Sequence, residues 1–174
     1  ISAGNLVIYR VGDGTAALGT TGTKVYLDEY NRVTGALVQS IALPSAGTSA
    51  LTAVGNATTE GVLSRSQDGT KLVFTGYRYD AGGTAPSGAT VGRVIGTVDL
   101  AGAPDTSSIT ITSGPTGSIR SATTVSGSTY YVAASAGNFV SYVATPGNPC
   151  SSTAIDARNS RQVNLFGNEL IVSN

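Results

Sequence analysis

Three charged residues recur at one place in the pattern of this chain. Glu60, Arg120 and Arg161 each stand just before a short strand-like run. Two arginines converging on one point can hold a carboxylate or sulfate through paired N–H donors, and a glutamate beside them can accept from a hydroxyl. Such a trio suits a concave site for an acidic or hydroxyl-rich ligand, an extracellular glycan for example. The same residue types serve equally to pair with one another or to cap neighbouring strand ends.

Other chemistry is sparse. His, Met and Trp are absent and Cys150, in PGNPCSST, is the single cysteine, so Ser-His-Asp and Cys-His catalysis, histidine metal sites and an internal disulfide framework have no residues to use. Cys150 is expected as a buried or free thiol, or as the partner of a cysteine in a segment outside this sequence. Asp28 and Glu29 are adjacent, and adjacent strand residues point to opposite faces, so they are not paired carboxylates across a scissile bond; both are expected at the solvated surface, as is Asp13. The acidic residues of VGDGT and YDAGG lack the ligand density of a calcium loop, and GNLVIYRVGDG lacks the Lys-Ser/Thr ending of a phosphate loop. No metal and no cofactor are expected. Tyr77, Tyr79, Tyr130, Tyr131 and Tyr142 offer sugar-stacking faces, although alternation sends about half of them into packing. Asn56-Ala57-Thr58 is a glycosylation sequon, and 78–92 reads as a long mobile loop open to partners.

Positioning these residues falls to strands. Charged residues make up 11% of 174 residues and balance to a net charge of zero, which leaves no electrostatic footprint for nucleic acid. At 40% hydrophobic the chain carries enough apolar side chains for a core, arranged in short β-branched bursts between glycine-rich turns. No apolar run approaches the ~18 residues of a membrane-spanning helix. Asp68-Gly69, Ser126-Gly127 and Gly167-Asn168 each sit between two such bursts as tight hairpin turns. The turn glycines Gly69, Gly127 and Gly167 are 58 and then 40 residues apart, which marks a loose internal repeat.

Filling the intervals predicts an all-β chain of four-stranded antiparallel units joined in series, the blades of a β-propeller. Blade 1 spans 1–48 and lacks its first strand, with strands at 5–13, 23–31 and 36–44. Blade 2 spans 60–113, blade 3 spans 118–157, and 161–174 forms the first two strands of blade 4. The count amounts to about half of a six- or seven-bladed ring. In such a ring the residues entering each first strand open onto the central channel, which would gather Glu60, Arg120 and Arg161 at one mouth. The expected partner is the missing half of the ring, as a continuation of the chain, a nicked second half or a separate chain. A start at Ile1 reads as a processed or internal start.

The stretches GNLVIYRVGDGTAAL, VYLDEYNRVTGALVQSIALP, TTEGVLSRSQDGTKLVFTGYRYD, VGRVIGTVDLAG, IRSATT and RQVNLFGNELIVSN resemble, in the same order, segments of a group of uncharacterised secreted β-propeller proteins. The resemblance covers essentially the whole chain and corresponds to the N-terminal half of those proteins. It implies a propeller fold and a secreted or cell-surface location, and it implies no activity. The expectation is therefore a non-enzymatic extracellular structural, adhesive or protein-interaction module. The alternative is a carbohydrate-binding or polysaccharide-acting propeller with its site at the channel mouth.

Overall fold

The computed structural model describes residues 1–84, 86–88 and 90–173; the regular structure in them is β-strand apart from one turn of 3-10 helix, Gly47–Ser49. Ala85 and Ala89, within the loop expected at 78–92, and Asn174, at the end of the unit expected at 161–174, lie outside the described residues. The chain forms an all-β domain of several small, mainly antiparallel sheets.

In the first sheet, Val25–Tyr30 lies between Leu6–Val11 and Leu37–Ala42. The turn after Tyr30 closes because the Asn31 side-chain carbonyl accepts the N–H groups of Val33 and Thr34 at 2.9 and 3.0 Å. In the second sheet, Ser64–Arg65, Lys71–Tyr77, Arg93–Asp99 and Thr110–Ser113 follow one another as antiparallel neighbours. Its Asp68-Gly69 turn is held by the Asp68 carboxylate, which accepts from the Ser66 hydroxyl at 2.7 Å and from the Thr70 N–H at 3.0 Å. The third sheet runs Pro115–Thr123, Tyr130–Gly137, Val140–Val143 and Thr153–Asp156 in order. A two-stranded hairpin, Gln162–Phe166 with Glu169–Ser173, follows it.

Strand alternation explains how the sheets stack. Leu72 and Phe74 of the second sheet, with Val94 and Val98, pack against Val25, Leu27 and Tyr9 of the first. The intervening Val73, Tyr77 and Ile95 point the other way, onto Ile119, Ala122 and Val132 of the third. Ala133 and Val140, on the far face of the third sheet, meet Val163, Leu170 and Val172 of the hairpin. The core is thus a series of apolar layers between successive sheets.

Four local expectations need correction. Cys150–Ser151 leaves the third sheet's region and pairs in parallel with Thr110–Ser113, so the sheets are not self-contained. Arg120 does not precede its strand; it lies inside Pro115–Thr123. Asp28 and Glu29 are buried, not solvated. The front of the 78–92 segment is tied down: Gly22 N–H donates to Gly83 O at 2.7 Å, and Ala81 N–H to Ser45 O at 2.8 Å.

Candidate functional site

The leading strands of the second and third sheets and of the hairpin lie side by side along one edge of the stack. Val62 N–H donates to Arg120 O at 3.3 Å, Gln67 N–H to Thr124 O at 3.0 Å, and the Ser64 hydroxyl to Ala122 O at 2.5 Å. Val163 N–H then donates to the Ser121 hydroxyl at 3.0 Å. Residue numbers rise together from Val62–Arg120 to Gln67–Thr124, so the leading segments of the second and third sheets run parallel. Val62, not Glu60, stands level with Arg120. The three charged residues therefore share one edge of the molecule without occupying equivalent positions on it.

Glu60 is engaged on both oxygens. Oε1 accepts from the Tyr77 hydroxyl at 2.5 Å and Oε2 from Val54 N–H at 3.2 Å. The Tyr77 oxygen in turn accepts from Ile119 N–H at 3.2 Å, so one phenol links the second sheet to the third. Burial, reinforced by the Glu60 charge, pushes the Tyr77 hydroxyl far above its ordinary range and keeps it a donor. Tyr9, whose hydroxyl donates to Thr75 O at 3.0 Å, is raised by burial first and by Glu60 second.

Arg120 is buried. Its Nη1 donates to the Asn159 side chain and, at 2.9 Å, to Ser160 O, while its Nε has no partner among the described residues. Burial lowers its pKa, and Arg161 lowers it further. Arg161 is exposed, and among the described residues its side chain makes no ion pair. Of the three, Arg161 alone presents its charge to solvent; Glu60 and Arg120 act as internal links.

Two members of this edge network were not legible as such in the sequence. The Tyr77 hydroxyl is one. Arg93 is the other: its guanidinium lies 5.7 Å from the centre of the Tyr77 ring and donates to Val91 O at 2.6 Å and Gly117 O at 2.8 Å. Strand alternation placed Tyr77 on a buried face, but nothing local identifies what its oxygen meets. Replacing Tyr77 with Phe keeps the ring packed and strands both the Glu60 carboxylate and the Ile119 N–H. Urea denaturation should show a loss of about 2 kcal/mol, and an unchanged midpoint would refute the link.

The remaining candidates are dispersed. Asn56 is exposed in a turn, its N–H donating to Gly19 O at 2.9 Å. The Cys150 thiol donates to Thr110 O at 3.5 Å and is raised by burial, away from thiolate reactivity. Tyr77 and Tyr130 are buried, whereas Tyr131 and Tyr142 form a half-buried tilted pair with ring centres 5.2 Å apart. No protein-family model, no curated protein and no solved structure matches this chain.

Proposed function

We propose that the chain is a non-enzymatic extracellular interaction module, an arc of a β-propeller whose end sheets are covered by further β-sheet. The first sheet, the second, the third and the hairpin correspond in this scheme to blades 1 to 4, with blade 1 lacking its innermost strand. One observation carries the proposal. The second and third sheets are covered on both faces, but the first sheet is covered on one. Its other face, where the register sets Leu6 across from Tyr30 and Tyr30 across from Leu37, leaves Leu6 and Leu37 each 54% exposed and Ile8 44% exposed. The hairpin likewise turns Phe166, 70% exposed, away from its core. An exposed row of Leu6, Tyr30 and Leu37, continued by Ile8 beside the Arg10–Asp28 ion pair, supports reading this face as a binding surface.

The occupant that fits is an antiparallel sheet with an apolar face, because antiparallel sheets cover the comparable faces within the molecule. The resemblance noted for the GNLVIYRVGDGTAAL opening agrees with this assignment. Electron microscopy of the native protein should reveal a ring of six or seven blades around a channel. A double substitution, Ile8→Glu with Leu37→Glu, should abolish the ring and leave the β-sheet circular dichroism of the chain intact. An open stack with bare ends in the native protein would overturn the proposal.

A further inference from the structure

Arg120 carries a buried charge whose donors are only partly answered. It is 5% exposed and lies inside Pro115–Thr123, and its main-chain oxygen is taken by Val62 N–H. Among the described residues the hydrogen bonds of its guanidinium all run through Nη1, to the Asn159 side chain and to Ser160 O at 2.9 Å. Nε is closed to solvent and has no partner there. The other arginines of the interior differ. Arg78 places Nε, Nη1 and Nη2 on Thr110, Ala50 and Thr106, and Arg93 places all three on main-chain oxygens of Gly117, Val91 and Ser87. An unanswered donor on a buried cation is costly, and native interiors rarely leave one.

The neighbouring side chains do not supply the missing acceptor. Burial lowers the Arg120 pKa most and the Arg161 charge lowers it next, while Glu60 opposes both. Glu60 is thus within electrostatic reach, but the Tyr77 hydroxyl and Val54 N–H occupy its two oxygens. Arg10–Asp28 and Arg158–Asp156 are the ion pairs among the described residues, and neither Arg120 nor Arg161 belongs to them. Two like charges therefore stand near each other without a carboxylate on either.

What Nη1 leaves over is the edge of the Arg120 guanidinium formed by Nε and Nη2. That edge presents two parallel N–H donors, the fork that matches the two oxygens of a carboxylate. A carboxylate docked on it leaves both Nη1 bonds in place. Arg161, exposed and next in the chain to Ser160, adds a second positive charge and has no ion pair to break when it moves.

We infer that the Nε–Nη2 edge of Arg120, with Arg161 beside it, binds a carboxylate on a slim unbranched stem, the side chain of a glutamate or aspartate of a protein partner. The inference deepens the proposed interaction module and rests on that reading for the source of the carboxylate. A uronic acid carries its carboxylate directly on a ring, and a ring does not reach a side chain so deeply buried.

The test follows the Arg120 Nε–H resonance of the 174-residue chain by NMR, assigned by through-bond correlation, during titration with a blocked Gly-Gly-Glu-Gly-Gly peptide. The resonance should move downfield and saturate, with affinity at least about tenfold higher than for the Gly-Gly-Gln-Gly-Gly peptide. Arg161→Gln should weaken binding about threefold. Arg120→Lys keeps the charge and lacks the fork, so it should abolish saturation; if that variant fails to fold, the resonance of the unsubstituted chain decides. Glucuronate or sulfate binding more tightly than the glutamate peptide overturns the protein source and counts against the interaction module. No movement of the Nε–H resonance with any of these anions overturns the site. A ring seen by microscopy in a protein whose resonance does not move sinks this site alone. Saturation by the peptide in a native protein that forms no ring sinks the propeller assignment alone.

Discussion

Acidification from about pH 5 to about pH 2 should remove on the order of 3 kcal/mol of stability through Glu29 alone. Glu29 is 0% exposed, yet its carboxylate accepts from Ser2 N–H at 2.7 Å, the Asn5 side chain at 2.7 Å and the Gln39 side chain at 2.6 Å. The Gln39 hydrogen bond is the largest cause holding its pKa at about 2, against an ordinary 4.5. Burial pushes the other way, and the three donors outweigh it. The unfolded chain therefore takes up the proton first as pH falls. The contribution is complete above the unfolded pKa and is lost as pH drops through the folded one. Urea midpoints measured from neutral pH down to pH 2 should show this slope. Glu29→Gln should be about 1–2 kcal/mol less stable at pH 7, since Gln39 can turn its amide over to accept, and the wild-type curve should fall through that of the variant in acid, because the variant lacks this titration. Parallel curves would show that Glu29 is not the titrating group.

Gly137→Ala should cost about 3 kcal/mol or more and lower the urea midpoint accordingly. Gly137 has φ 72° at the end of Tyr130–Gly137, where the third sheet turns toward Val140. A Cβ at this position collides with the Gly114 carbonyl oxygen and stands 2.8 Å from the Thr116 backbone nitrogen. Both obstacles are main chain, so no rotamer change relieves them. The pairing of Pro115 with Gly137 has to open, and with it the Asn138 N–H bond to Gly114 O at 3.0 Å. Gly35 separates the two contributions: its φ is 70°, and a Cβ there meets nothing within 4 Å. Gly35→Ala should lose only the left-handed backbone penalty, about 1 kcal/mol. Equal losses at the two glycines would mean that the approach to Gly114 carries no energy.

Much of the strand plan was legible. Asp68-Gly69, Ser126-Gly127 and Gly167-Asn168 all turn hairpins, because positive φ is a property of the residue and its neighbours and needs no distant partner; Gly69, Gly127 and Gly167 take φ 74°, 95° and 59°. The alternation that places Tyr130 inside and Tyr131 half outside is equally local. The acidic pair went differently. Alternation put Asp28 and Glu29 on opposite faces correctly: Asp28 meets Arg10 at 2.5 Å and Ser40, whereas Glu29 meets Ser2, Asn5 and Gln39. Their burial was not visible, because two of the donors that hydrogen-bond the Glu29 carboxylate come from 24 and 27 residues away.

By itself, then, the sequence determined the strand class, the turns, the alternation of faces and the absence of histidine chemistry, all consequences of residue type and near spacing. Only the tertiary structure decided that Val62 rather than Glu60 stands level with Arg120, that Glu60 is held by Tyr77 and that Cys150–Ser151 crosses to the second sheet. The first and the last depend on the register between strands 40 or more residues apart, as the separations of 58 for Ser64–Ala122 and 40 for Cys150–Thr110 illustrate, and the Glu60 contact on a side chain 17 residues further along. Register is set by which side chains fill the layer between two sheets, and that sum runs over the whole interface rather than along the chain.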